Sequence, residues 1–70
     1  MDYQNLYNEY VNSTEYKLID VIEKEINGLR CKIEHFNYQY RNQWFFFIND
    51  IIVGEAKEHA ESFSIFGEEW

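Results

Sequence analysis

The stretch Trp44-Phe45-Phe46-Phe47-Ile48-Asn49-Asp50-Ile51-Ile52-Val53-Gly54 decides the fold. Two apolar runs rich in aromatic and β-branched side chains flank Asn49 and Asp50, residue types that suit the tight turn of a β-hairpin. The reading is strand, turn, strand. With Ile48 opposite Ile51, Phe47 falls opposite Ile52 and Phe46 opposite Val53. Phe45 then lies across from Gly54, where a ring can cover a residue that has no side chain. This hairpin is expected to form the centre of the core.

Upstream, Leu29, Cys31 and Ile33 alternate with Arg30, Lys32 and Glu34, the pattern of a half-buried strand. Near His35 the apolar set changes parity to Phe36, Tyr38 and Tyr40, as at a bulge or a second apolar face. With a turn at Arg41 and Asn42, one face of the sheet carries Ile33, His35, Trp44, Phe46, Ile48, Ile51 and Val53. The other carries Phe36, Tyr38, Phe45, Phe47 and Ile52. Both faces are apolar, as in a sheet covered on both sides.

Tyr3, Leu6, Tyr7 and Tyr10 fall at helical spacing behind Asp2, a good N-cap, so residues 3 to 11 read as a short amphipathic helix whose tyrosines pack on the sheet. Asn12, Ser13 and Thr14 offer caps for a second helix over 14 to 26. There Leu18, Ile22 and Ile26 lie four apart, and Asn27-Gly28 supplies a stop. A rival reading makes Asn27-Gly28 a type I′ hairpin turn that pairs Ile26 with Leu29, Glu25 with Arg30, Glu23 with Lys32 and Ile22 with Ile33. The helix is preferred because Leu18 to Val21 break strand alternation and because Glu and Lys favour helix. Residues 55 to 66, with Ala56, Ala60 and Phe63 on one stripe, read as a last helix ending at Gly67. The expected fold is therefore α+β: a three-stranded antiparallel meander packed with two N-terminal helices and one C-terminal helix, as one domain over residues 1 to 70.

Seventy residues lie near the lower limit for a core without disulfides or metal, since so short a chain buries only about 60% of its unfolded surface. The 20% of aromatic residues offsets this with large side chains. Cys31 is the only cysteine, so no intramolecular disulfide can form, and a reducing, cytoplasmic setting is expected. The polar, acidic start is unlike a signal peptide, and the longest apolar run, Trp44 to Ile48, cannot span a bilayer. Thirteen acidic residues against six basic ones give a net charge of -7, which repels phosphate backbones and anionic lipid. Neither nucleic acid nor membrane is an expected partner. A protein with a basic surface is.

The residues do not assemble into a known chemistry. Cys31 and His35 stand about 13 Å apart along one strand, too far to share a metal ion. Cys31 between Leu29 and Ile33 reads as an inert core thiol. Glu55 and His59 suit a solvated surface contact. Ser62 and Ser64 near His59 have no orienting geometry. The three glycines, at 28, 54 and 67, build no phosphate cradle. The start Glu55-Ala56-Lys57-Glu58-His59 lacks the basic cluster of a phosphate-binding helix. No catalytic site, cofactor or metal is expected.

What remains is a small acidic protein-binding module that blocks a larger, possibly nucleic-acid-handling partner, such as a phage or mobile-element anti-defence inhibitor or an immunity protein. The expected contacts are Glu58, Glu61, Glu68, Glu69 and Trp70, with Tyr38 as an aromatic anchor. The Phe36, Tyr38, Phe45 and Phe47 patch is expected to be covered by a second copy or another protein. The alternative is a homo-oligomeric structural or regulatory domain, a homodimer with no inhibitory role.

Overall fold

The computed structural model describes residues 3–58. These form a helix α1 (Tyr3–Val11) followed by four strands, β1 (Lys17–Ile26), β2 (Leu29–Tyr38), β3 (Arg41–Ile48) and β4 (Ile51–Ala56). The strands make one antiparallel sheet in the order β1-β2-β3-β4. Each pairs with its neighbour in sequence, so every connection is a tight turn.

The expected three-stranded meander with three helices is corrected to four strands and one described helix. The segment 14 to 26 is not helical. Asn27 and Gly28 take φ of 52° and 81°, the two left-handed positions of a type I′ turn. Ile26 then pairs with Leu29, Glu25 with Arg30, Glu23 with Lys32 and Ile22 with Ile33, the register of the rival hairpin. Leu18, Ile22 and Ile26 misled because a spacing of four fits one face of a helix, whereas on the strand only Ile22 and Ile26 share a face and Leu18, opposite Phe36, lies on the other. The broken alternation at Leu18 to Val21 has its own cause: a register shift between Leu18 and Asp20 leaves Ile19 as the extra residue of a β-bulge. The tight turn and four β-branched residues then outweigh the helix preference of Glu and Lys, while Arg30 and Lys32, opposite Glu25 and Glu23 in register, bridge to Asp50 and Glu34 instead.

The helix expected over 55 to 66 is corrected at its start, because Glu55 and Ala56 belong to β4. The part of that reading beyond Glu58 lies outside the described residues. The turn expected at Arg41 and Asn42 sits instead at Gln39 and Tyr40, with Tyr38 opposite Arg41. Gln39 has φ 57°, a costly position for a residue with a Cβ. Asn37 holds this turn: its Nδ2 donates to the Gln39 carbonyl at 3.0 Å, the Arg41 carbonyl at 3.2 Å and Asn42 Oδ1 at 3.0 Å. Moving the turn by two residues slides β3 along β2 by an even number of positions, so each side chain keeps its expected face.

The Asn49-Asp50 turn joins β3 to β4, with both residues at positive φ and Ile48 opposite Ile51. The expected register fails after Phe47. A shift between Phe46 and Phe47 leaves Val53 as the extra residue, so Gly54 lies opposite Phe46 and Glu55 opposite Phe45.

Packing divides between the two faces. On one, Ile33, Trp44, Phe46 and Ala56 form a buried cluster. On the other, Phe36, Phe45 and Phe47 are buried with Leu6, Tyr7 and Tyr10 of α1, Tyr16 and Ile52 packed against them. The Tyr7 ring meets Phe36, Phe45 and Phe47 edge-on at 6.0, 5.2 and 5.4 Å. Edge-to-face contacts of this kind stabilise beyond the burial of area alone. Ser13, read as part of a helix cap, instead turns the chain into β1, its Oγ accepting from the amides of Glu15 and Tyr16 at 3.1 Å each.

Candidate functional site

β1 is the outermost strand on its side of the sheet, and among the described residues no strand pairs with its outer edge. Nine of its ten residues are exposed. They include four aliphatic side chains, Leu18 at 48%, Ile19 at 56%, Val21 at 44% and Ile22 at 37% of full exposure. A long edge strand carrying branched aliphatics is the surface on which another strand can be added, because its outward N–H and C=O groups are unmatched in the sheet.

Turn geometry fixes which groups these are. In a two-residue turn the Ile26 carbonyl accepts from the Leu29 amide, so Ile26 and Leu29 form a hydrogen-bonded pair. Strict alternation up to the bulge then directs the backbones of Lys24, Ile22 and Asp20 towards β2. Those of Glu25, Glu23 and Val21 point outward. Consistent with this phase, the backbone of Arg30, which is opposite Glu25, faces β3: its carbonyl accepts from the Asn49 amide at 2.9 Å, and its amide donates to Asn49 Oδ1 at 3.1 Å. The Arg30 guanidinium also pairs with Asp50 at 2.9 Å on the exposed surface. A shallow depression of about 260 Å³ opens beside this end of β1, lined by Glu23, Lys24 and Glu25 together with Arg30, Lys32 and Asp50.

The α1 face behind the edge is held by a buried polar contact. Tyr7 donates its hydroxyl to Glu34 at 2.8 Å, and Lys32 pairs with the same carboxylate at 3.1 Å. Glu34 is only 6% exposed. The Lys32 ammonium also lies 4.5 Å from the centre of the Phe47 ring. Burial, then the hydrogen bond to Glu34 and its negative charge, push the Tyr7 phenol up to about 12. Burial likewise raises Tyr10, with nearby Tyr16 and Glu55 adding to the effect. These tyrosines stay neutral and hold α1 in place.

At the far end of the sheet, His35 stacks on Trp44 at 4.3 Å and 17°. Its Nε2 lies 2.7 Å from Asn42 Oδ1, which also accepts from Asn37. An amide oxygen only accepts, so Nε2 is the donor in this contact. Gln43 is fully buried. Its Nε2 donates to Glu55 at 2.6 Å and to the Trp44 carbonyl at 3.2 Å, while its Oε1 has no partner among the described residues.

The structure separates the expected site residues. Phe36, Phe45 and Phe47 are buried beneath α1, so the chain's own helix covers the patch assigned to a second copy or another protein. Tyr38 is half-buried against Tyr16, ring centres 5.7 Å apart. Glu58 is exposed just past β4. Glu61, Glu68, Glu69 and Trp70 lie outside the described residues. Nine of the thirteen acidic residues and all six basic ones fall within 3–58, so this part carries -3 of the -7. The apolar edge of β1 was missed, and the signal for it was Asn27-Gly28 with Glu25/Arg30 and Glu23/Lys32 in register on either side.

Cys31 is buried, and among the described residues no group of three or more His, Cys, Asp or Glu could hold a metal ion. Among them, too, no helix is long and apolar enough to cross a membrane. No family model, curated protein or solved structure matches the chain.

Proposed function

We propose that this chain is a non-catalytic protein-binding module that docks through the outer edge of β1, adding its sheet to a strand of another polypeptide. The observation that carries this reading is the exposure of Leu18, Ile19, Val21 and Ile22 along an edge strand of ten residues. Strand addition draws affinity from main-chain hydrogen bonds and selectivity from alternate side chains. The outward backbone groups of Val21, Glu23 and Glu25 supply the first, and the mixed aliphatic and acidic side chains supply the second. Glu23 and Glu25 beside this edge, in a chain of net charge -7, favour a partner with a basic surface. Inhibition of such a partner, by occupying an edge or groove that it needs, is the role that fits a module of this size.

Val21→Pro provides the test. The Val21 amide points outward, so proline there removes a donor from the free edge and none from the β1–β2 ladder. Tagged wild type and V21P are used to capture proteins from a bacterial lysate, with washes at low and high salt. A basic protein retained by wild type, weakened by salt and lost with V21P supports the reading. Capture of the same proteins by both, with unchanged thermal melts, refutes it.

A further inference from the structure

We infer that the outer edge of β1 pairs with β1 of a second copy, antiparallel, about a two-fold axis passing through Ile22. This rests on the reading of β1 as a docking edge and adds a second copy of the chain, which occupies that edge in the absence of the hetero-partner.

The backbone phase restricts the registers. Val21, Glu23 and Glu25 direct their amides and carbonyls outward, while Asp20, Ile22 and Lys24 direct theirs to β2. An antiparallel partner must set outward groups against outward groups, so the axis passes through a residue and never between two. Side chains then choose among the residue-centred axes. An axis on Asp20 or Glu23 places a carboxylate opposite its own copy, and one on Lys24 does the same to an ammonium while setting Glu23 against Glu25. Like charges directly opposite are destabilising. An axis on Val21 opposes Asp20 to Ile22 and sets Glu23 against the bulge at Ile19, matching neither charge nor regular backbone. The axis on Ile22 sets Ile22 against Ile22 and Asp20 against Lys24 twice, with Val21 and Glu23 exchanging main-chain hydrogen bonds. Lys24 already has an interaction within its own chain. An ammonium carries three donors, so a carboxylate from the second copy adds to that contact.

The edges also differ in what they permit. β4, at the other side of the sheet, has six residues, a bulge at Val53 and Gly54 within it. Short, bulged strands resist pairing. A β1-to-β4 contact would also be head-to-tail and open-ended, whereas β1-to-β1 closes at two copies. The bulge at Ile19 limits the regular stretch to Asp20 through Lys24 and beyond, so the contact is short and the dimer is of the weak, reversible kind. A hetero-partner that adds a strand at this edge competes with it.

Sedimentation equilibrium of the purified full chain, over a concentration series up to about 1 mM, the weak end of specific association, tests this. Wild type is expected to form a dimer, and V21P to remain monomeric with its circular dichroism unchanged. Asp20→Lys and Lys24→Asp each turn two attractive pairs into repulsive ones and raise the dissociation constant by about tenfold or more. The double variant D20K/K24D restores the dimer. Mixing the two single variants also restores it, because each charge in one then meets its opposite in the other. A chain that stays monomeric throughout overturns the self-pairing and leaves the docking edge to the lysate comparison. A dimer indifferent to V21P overturns self-pairing at β1 and places the contact on another surface. A dimer lost with V21P but unmoved by the single charge variants overturns the Ile22 axis.

Discussion

Removing only the hydroxyl of Tyr7 measures how α1 is held. In Tyr7→Phe the ring keeps its edge-on contacts with Phe36, Phe45 and Phe47. What is lost is the 2.8 Å hydrogen bond to Glu34, a carboxylate that is 6% exposed and keeps Lys32 at 3.1 Å. A hydrogen bond to a charged group is worth about 1.5–3 kcal/mol, and a buried acceptor left short of a partner keeps part of its desolvation cost. Tyr7 is only half-buried, so water replaces some of the loss, and a destabilisation of about 1.5–2 kcal/mol is expected. For a domain of this size that lowers the melting temperature by roughly 6–16 °C. Urea unfolding followed by tryptophan fluorescence reads it directly. Repeating the substitution in a Glu34→Gln background, where the acceptor is neutral, should cost markedly less. A change within about 0.3 kcal/mol, inside the ordinary surface range, would show that the contact does not fix α1.

The same phenol gives a pH signature. Its proton is held more tightly folded, at about 12, than unfolded, at 10.0. Its contribution is therefore complete below pH 10 and is lost as the pH rises towards 12; wild type should lose stability over that window more steeply than Y7F. Gly28→Ala should destabilise by about 1–2 kcal/mol, because φ is +81°, although among the described residues nothing beyond its two chain neighbours lies within 4 Å of the added Cβ; thermal melts decide this. Asn37→Ala removes the donor that spans the Gln39-Tyr40 turn and should cost about 1–2 kcal/mol, whereas Gln39→Gly, at φ 57°, should stabilise by up to about 1 kcal/mol. Equal melting temperatures for these last two would disprove the account of that turn.

What could be read in the sequence followed from whether a local signal had one meaning or two. Asn49-Asp50 between runs of aromatic and β-branched residues admits a hairpin and little else, so the β3–β4 turn and the first two pairs of its register were legible. Asn27-Gly28 ends a helix as well as it turns a hairpin, and Ile22 and Ile26, four apart, satisfy both periods. Only the cross-strand charges Glu23/Lys32 and Glu25/Arg30 separated the two, and they were given too little weight against helix propensity. The turn at Gln39 and Tyr40 had no local signal, since Asn37 stabilises it by reaching across the hairpin. The bulges at Ile19 and Val53 arise from fitting one strand to the next. The docking edge was hidden for a further reason: a strand shows its aliphatics to solvent only when it lies outermost, which is a property of strand order.

The exposure of β1 follows from how much one helix can cover. α1 has nine residues, about 13 Å of axis and a width of about 10 Å. Strands stand about 4.8 Å apart, so a helix lying on the sheet shields roughly three of them. The buried rings under α1 come from β2 and β3, with Ile52 of β4 packed at their side. The start of β1 reaches α1, where Lys17 and Leu18 line a depression with Tyr7, Tyr10 and Val11, but β1 adds no buried residue to either cluster. The strand stays in place through its ladder to β2 and the Asn27-Gly28 turn. Its aliphatics are only partly covered within the chain, keeping 37–56% of their full exposure at Leu18, Ile19, Val21 and Ile22. The part still in water gains free energy only when something further covers it, which is the physical reason for proposing a docking role for this edge.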